Sequence, residues 1–200
     1  MNDSLFCKFE KELISPFSEL TDLFSKQVRH YTIREHTKNV FNQFELYFAD
    51  GFRSIDIDLF RKIIILHDIG KPLAHQRRKR EEQHQDTLRI IDKYVHDFGF
   101  SKTDMNAIRA LLEHDPIGLF VQGKFTAKDA KGLLVKSADE HGFPVDELLY
   151  NSTVLYQCDA GSYTKDAGGI PFLEKLFKYE NGAKCLRGNL LAFEEKLQNR

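Results

Sequence analysis

A histidine and an aspartate that directly follow an apolar segment are the residues best suited to chemistry in this sequence. His67 and Asp68 stand in the stretch ILHDIGKP, after the aliphatic run at residues 63–66. Neighbouring side chains on an α-helix diverge by about 100°, so the pair can converge only where a helix ends. Gly70 and Pro72 are poor helix formers and predict that end. Imidazole and carboxylate groups are ligands of divalent metal ions, so the stretch predicts a metal site.

Further histidines and carboxylates lie at the ends or on the apolar faces of other predicted helices. His36 shares a helix face with Ile33 and Val40, so it should point inward. The candidate metal ligands are His36, His67, Asp68, His84, His114 and Asp159. Asp139 follows a similar apolar stretch and remains an alternative to Asp159. Imidazoles and carboxylates without a thiolate favour a catalytic site with open water positions, where an ion can activate water and neutralise phosphoryl oxygens.

Composition argues against several other classes of protein. The 200 residues suit one domain, and 29 basic against 30 acidic side chains create no overall field for nucleic acid or an anionic membrane. The longest aliphatic run is far shorter than the roughly 20 residues of a membrane span, and no signal peptide is evident, so we expect a cytoplasmic protein without membrane association. The spacing of Cys7, Cys158 and Cys185 argues against a disulfide framework and a cysteine zinc site.

The spacing of apolar residues is helical almost throughout and predicts an all-α bundle in a single domain. No repeat or flexible linker suggests an internal boundary. Strand-like alternation is nearly absent. Helices are predicted over residues 4–28 with a break near Pro16, and over about 33–49, 56–70, 82–98, 103–115, 126–141, 145–160, 171–179 and 186–197.

The ordered residues His36, His67-Asp68 and Asp159 resemble the signature of the HD-domain metal-dependent phosphohydrolase superfamily, which is H, then HD, then D on an all-α helical bundle. The resemblance spans roughly residues 30 to 165, which implies a single HD-type domain over 1–200 with N- and C-terminal helical extensions. The longer stretch LHDIGKP is similar to the HD domains attached to tRNA nucleotidyltransferases and to those of bacterial nucleotide phosphohydrolases.

This resemblance also implies a ligand set. Members with two further histidines between HD and the final D commonly hold two ions, and His84 and His114 fall in those places. Asp68 would then bridge the two ions, and Asp159 is preferred to Asp139 because the helix that carries it resembles the last motif helix of these relatives. The expected cofactor is one or two divalent ions of Mn, Fe, Ni, Co or Mg, because histidine and aspartate bind all of these metals.

Several basic side chains are candidates for binding a phosphate. Lys71 is expected to meet the substrate phosphate and to act with Asp68 in catalysis, as the lysine of the motif does in relatives. Arg77 and Arg78 begin a basic run that predicts either a phosphate clamp or lid, or a solvated loop. Arg34 is a further candidate for contacting an anion.

The expected function is hydrolysis of a small phosphomonoester or phosphodiester, a nucleotide or cyclic nucleotide in the first instance, by attack of metal-bound hydroxide. An RNA end is a further candidate partner. The main alternative is a non-catalytic HD domain that binds a nucleotide or a partner protein. A purely structural helical module and a di-iron oxygenase built on the same ligands also remain open.

Overall fold

The structure is a computed structural model that describes residues 3–163 and the short strands at 177–180 and 183–186. Most of these residues are in helices. The predicted all-α class is confirmed. The helices are α1 Asp3–Leu13, α2 Ser18–Ser25, α3 Ile33–Tyr47, α4 Ile57–Leu66, α5 Lys71–Gln76, α6 Gln83–Lys93, α7 Lys102–Leu112, α8 Pro116–Val121, α9 Ala127–His141 and α10 Val145–Gly161, with a 3₁₀ helix at Arg80–Glu82.

Two small antiparallel hairpins accompany the helices. Strands β1 Gln27–Val28 and β2 Tyr31–Thr32 form the first, and β3 Phe177–Glu180 and β4 Ala183–Leu186 form the second. The second hairpin shows that the helix predicted over 171–179 is wrong at residues 177–179. The rest of that prediction, and nearly all of the helix predicted over 186–197, lie outside the described residues.

The start of α3 is fixed by a reciprocal cap that also places the first histidine. The Thr32 hydroxyl accepts a hydrogen bond from the backbone N–H of Glu35 at 3.1 Å, and the Glu35 carboxylate accepts one from the backbone N–H of Thr32 at 2.8 Å. Such a capping box satisfies two amides that the first turn of a helix leaves without partners. His36 therefore lies in the first turn of a helix whose start is well defined.

The C-terminal end of helix α4 lies in the interior of the molecule. Asp56 caps its start by accepting from the backbone N–H of Leu59 at 2.9 Å, and all residues from 63 to 66 are buried. The helix ends at Leu66, earlier than Gly70, where the sequence predicted its end. Pro72 begins the next helix, α5, as a first-turn residue, a position that does not require its missing N–H.

Gly70 is required by a close approach of two chain segments. A Cβ atom at Gly70 would lie 2.2 Å from the backbone nitrogen of Thr87, and the φ of Gly70, −84°, is one that any residue adopts. Its backbone N–H donates to the Thr87 hydroxyl at 3.1 Å. The missing side chain thus allows the start of α6 to pack against the segment that carries His67.

Aromatic side chains lock the helices that hold the histidines. Phe6 packs edge-on against Phe41 with ring centroids 5.6 Å apart, and Phe44 contacts Phe60 at 4.9 Å. All four rings are fully buried, and burial of such a side chain contributes about 1.5–3 kcal/mol. Helix α10 also packs against α3. These contacts hold the start of α3, the end of α4 and the end of α10 near one another.

Several boundaries differ from the prediction for physical reasons. The sequence pattern did not predict α5 and α8, because each is a six-residue helix that begins beside a proline. The helix predicted over 82–98 ends at Lys93 and gives way to turns that lead to Gly99, which has a φ of +67°. Within the described residues, no helix is long and apolar enough to cross a membrane.

Candidate metal centre

The ends of α3 and α4 bring three predicted ligands together. His36, His67 and Asp68 each offer a ligand atom, and these atoms all lie within 4.8 Å of one another. The Oδ2 atom of Asp68 is 3.3 Å from Nε2 of His36 and 3.7 Å from Nε2 of His67. All three side chains are buried, with 4% to 9% of their surface exposed. The three residues form a group that could hold a metal ion.

Helix α10 adds a second carboxylate to this group. Oδ1 of Asp159 lies 2.9 Å from Nε2 of His36 and 4.0 Å from Nε2 of His67. Asp139, the alternative, is exposed near the end of α9. The structure therefore brings Asp159 to the histidines, while its role as a ligand stays a prediction.

Hydrogen bonds on the far side of each imidazole orient the ring. Nδ1 of His67 is 2.7 Å from the carbonyl oxygen of Ile64, which can only accept, so Nδ1 carries the proton and Nε2 keeps its lone pair. The hydroxyl of Ser162 donates to the Asp159 carbonyl at 2.7 Å and can therefore accept from Nδ1 of His36, 3.3 Å away. Both rings thus aim Nε2 at the carboxylates, the arrangement usual for metal-binding histidines.

Three polar atoms at the centre of this group have no hydrogen-bond partner among the described residues. They are Nε2 of His36, Nε2 of His67 and Oδ1 of Asp159, all fully buried. A buried polar atom without a partner costs about 1–3 kcal/mol, so three in one place require an explanation. A divalent cation would satisfy all three at once. The residues present therefore fit a metal ion.

The charges of the group are consistent with a site that attracts a cation. Burial alone would lower the pKa of His36, but the contacts with Asp159 and Asp68 raise it to about 9. Burial lowers the pKa of His67. The two carboxylates thus favour positive charge at the centre of the group, and a bound cation would supply that charge.

Lys71 forms the basic side of the centre. Its Nζ atom donates to Oδ2 of Asp68 at 2.5 Å, one helical turn away. Burial opposes the charged form of each side chain, but the neighbouring lysine holds the pKa of Asp68 well below its usual range. In turn, the Asp68 carboxylate raises the pKa of Lys71 above its ordinary value. Lys71 is therefore a fixed ammonium group beside the candidate ligands.

Tyr163 is a neighbour of the site that the sequence did not reveal. Its ring stacks on His36 with centroids 4.9 Å apart and planes 26° apart, and the centroid of the Tyr31 ring lies 6.0 Å from that of Tyr163. Burial, with the nearby Asp159 carboxylate, raises the pKa of Tyr163. Its position four residues after Asp159, one helical turn along the chain, is a signal that could have identified it.

The structure does not place the other two predicted histidines in this group. Among the described residues, the cluster of ligand atoms contains neither His84 nor His114. His84 lies in the first turn of α6, with Nε2 3.5 Å from the Gln83 amide nitrogen, and His114 lies between α7 and α8. A second ion held by these two histidines stays a prediction.

Asp115 is a further carboxylate that the sequence reading missed. Its Oδ1 accepts from the backbone N–H of Gly118 at 2.7 Å. Burial raises its pKa, and His84 and Asp159 are close enough to act on it electrostatically. The sequence carried a signal, since Asp115 completes a second His-Asp pair directly after an apolar helix.

Two of the predicted phosphate-binding arginines contact carboxylates in the structure. Arg34 donates to both oxygens of Glu10, through Nε at 2.5 Å and Nη2 at 2.8 Å. Arg77 contacts Asp86 at 2.5 Å and Glu82 at 3.2 Å. Arg78 has a positive φ of 60°. The predicted roles of these arginines in substrate binding stay predictions.

Comparison with known proteins gives one match. A family model described as the HD domain matches residues 33–149, which is more than half of the chain and includes His36, His67 and Asp68. No curated protein and no solved structure matches significantly. The family match and the all-α fold agree with the resemblance inferred from the motif. The chain belongs to the HD domain family, whose members are generally metal-dependent phosphohydrolases.

Proposed function

We propose that this protein is a metal-dependent phosphohydrolase that acts on a small phosphomonoester or phosphodiester, with a nucleotide or cyclic nucleotide as the expected substrate. The observation that carries the proposal is the convergence of three buried polar atoms without partners beside a fixed lysine. A purely structural packing of these histidines would leave those atoms uncompensated.

In the proposed site, His36, His67, Asp68 and Asp159 hold a divalent ion. Such an ion lowers the pKa of water and neutralises phosphoryl oxygens. The protein supplies the orientation, because the Ile64 carbonyl fixes the His67 ring before any ligand binds. As the family resemblance implies, His84 and His114 would hold a second ion together with Asp68. His84 and Asp159 both act electrostatically on Asp115, which supports the proximity of His84 to the carboxylates of the site.

Lys71 has the position to bind the substrate phosphate. Its side chain is 24% exposed, so the ammonium group lies between the buried Asp68 carboxylate and the outside. A phosphate oxygen that reached it would receive a charge-assisted hydrogen bond in poorly solvated surroundings, where such bonds are strong. The contact with Asp68 holds the ammonium group in place before substrate arrives, which reduces the reorganisation needed in the transition state.

Metal content and turnover together test this proposal. The purified protein is dialysed, analysed for metals and assayed with nucleotides and cyclic nucleotides in the presence of Mn, Ni, Co or Mg. We expect one or two ions per chain and hydrolysis of at least one substrate, and we expect D68A to lose both. A folded D68A protein that still binds metal and still hydrolyses phosphoesters would refute the assignment.

Two further variants decide between the candidate carboxylates. D159N should lower metal content and turnover, whereas D139N tests the exposed alternative on α9. If D139N loses the metal and D159N keeps it, the ligand set must be revised. Metal uptake without turnover of any compound would instead favour the non-catalytic binding domain.

A further inference from the structure

The end of α5 has a backbone conformation that its sequence does not favour. The backbone N–H of Lys79 donates to the carbonyl of Ala74 at 2.9 Å, and that of Arg78 donates to the carbonyl of His75 at 3.1 Å. This pair of bonds is the Schellman arrangement, in which the residue at the position of Arg78 is left-handed and usually glycine. Arg78 adopts it with a φ of 60°. An arginine at this strained position requires a reason.

The basic run that contains Arg78 divides into two pairs. Arg77 and Lys79 bind carboxylates of the following segment, at distances of 2.5 to 3.2 Å. Arg78 and Arg80 have no carboxylate partner in the described part of the chain, and Arg80 contacts only the ring of His75, 3.4 Å from its Nε2. The guanidinium groups of these two arginines are therefore available to a ligand.

These two arginines line a cavity beside α5. The cavity has a volume of about 570 Å³ and is lined by His75, Gln76, Arg78, Arg80 and Glu81. The lining thus carries two guanidinium groups and one carboxylate, an excess of positive charge that suits an anion. Guanidinium groups bind phosphate with two parallel hydrogen bonds, so this lining suits a phosphate group.

The position of the cavity relates it to the candidate metal centre. His75 follows Lys71 by four residues on α5, so both lie on one face of the helix with Cα atoms about 6 Å apart. Lys71 contacts the metal cluster through Asp68. A molecule with one phosphate at Lys71 could therefore extend a second phosphate along α5 into the cavity.

We infer that the cavity of His75, Arg78 and Arg80 is a second phosphate subsite, and that the substrate carries a further phosphate group besides the one that is hydrolysed. The inference rests on the proposed function for the position of the hydrolysed group. A nucleoside diphosphate or bisphosphate fits better than RNA, because the net charge of −1 provides no wider basic field for a nucleic acid backbone.

Calorimetric titration with inorganic pyrophosphate tests the subsite without any catalysis. The metal-depleted full-length protein is compared with R78G, R80Q and the matched control K79Q, which removes a neighbouring charge that already binds Glu82. We expect R78G and R80Q to weaken binding at least about tenfold and K79Q to change it less than about twofold. R78G should keep or raise the Tm, because glycine suits the left-handed position, so its loss of binding would not reflect unfolding. Equal binding by R78G and the parent protein, or an equal loss in K79Q, would overturn the subsite.

Kinetics of the metal-loaded protein show which class of substrate places a second phosphate in the cavity. R78G should raise the KM for a nucleoside diphosphate at least about tenfold and leave the KM for the monophosphate within about twofold. An equal KM change for both substrates would overturn the assignment. Tighter binding of a single-stranded oligonucleotide than of pyrophosphate, lost in R78G, would replace the small substrate with RNA. If no substrate turns over, the proposed function fails, and the pyrophosphate titration still decides the subsite.

Discussion

Two buried carboxylate clusters lie close together in this molecule and differ in how completely their polar atoms are paired. Asp86, at the start of α6, is 1% exposed, and both of its oxygens accept from arginines, Oδ1 from Arg89 at 2.8 Å and Oδ2 from Arg77 at 2.5 Å. His36, His67 and Asp68 are buried as well, with 4% to 9% of their surface exposed, but three polar atoms of the cluster that they form with Asp159 have no partner within the described residues.

The difference separates a structural cluster from a binding site. A buried charge whose hydrogen bonds are all made by side chains is complete without a ligand, and the Asp86 cluster joins α6 to the end of α5. Buried nitrogen and oxygen atoms whose lone pairs face one another have no partner until a cation binds. The two clusters are connected through Thr87, whose hydroxyl accepts from the Gly70 amide and donates to the His67 carbonyl at 3.4 Å.

Removal of an imidazole from the incomplete cluster should have the largest effect. We expect His67→Ala to lower phosphoester hydrolysis at least about a thousandfold, because the several kcal/mol of charge stabilisation that an ion provides would be lost. Added Mn should raise the Tm of the parent protein but not of this variant. Elemental analysis, initial rates and thermal unfolding measure these effects. A His67→Ala protein with full metal content would show that the ring belongs to the packing.

Gly70 joins the two clusters, and its substitution should have the next largest effect. A Cβ atom in Gly70→Ala would meet the Thr87 backbone nitrogen at 2.2 Å, which no rotamer change can relieve. We expect a loss of about 3 kcal/mol or more in the free energy of unfolding, measured with urea. The matched control is Gly132→Ala in α9, where the Cβ meets nothing within 4 Å, and a gain of about 0.5–1 kcal/mol is expected. Equal stability of the two variants would contradict this close approach.

The sequence predicted the convergence of His36, His67 and Asp68 better than the contacts around them, for a physical reason. Helical spacing places His36 inward, and the composition of the motif marks the end of α4, so local rules suffice for both. The contacts of Arg34 and Arg77 could not be predicted, because a long side chain selects among carboxylates that only the tertiary structure brings near. Local rules also failed at residues 177–179, Phe-Lys-Tyr, because so short a segment suits a strand as well as a helix.

Some features near the site that the sequence reading missed had a local signal in the sequence, and others depend on the tertiary structure. Tyr163 and Asp115 had local signals, a helical spacing from Asp159 and a second His-Asp pair. No local signal in the sequence indicated that Gly70 is required. Its φ is ordinary, and the constraint comes from Thr87, a residue of another helix.

Substitution of Asp86 should separate stability from metal binding. Asp86→Asn removes the charge that holds two arginines, and we expect a loss of about 1–3 kcal/mol in the free energy of unfolding. The loss is moderate because the arginines, 40% and 70% exposed, can return to water. Metal content should not change. Urea unfolding and elemental analysis check both expectations, and loss of metal with unchanged stability would mean that this cluster also belongs to the metal site.

Arg77 and Arg78, at the end of α5, extend the comparison to two adjacent residues. Here we expect the smallest change in the free energy of unfolding. Arg77 belongs to the complete cluster, so Arg77→Gln should lower stability. Arg78 occupies a left-handed position without a carboxylate partner, so Arg78→Gly should raise the free energy of unfolding by about 1 kcal/mol, because an L-residue with a side chain is strained there. Urea unfolding of the two variants side by side measures the opposite signs. If Arg78→Gly is destabilising, its side chain supports the fold, and the strain at this position would no longer point to a ligand.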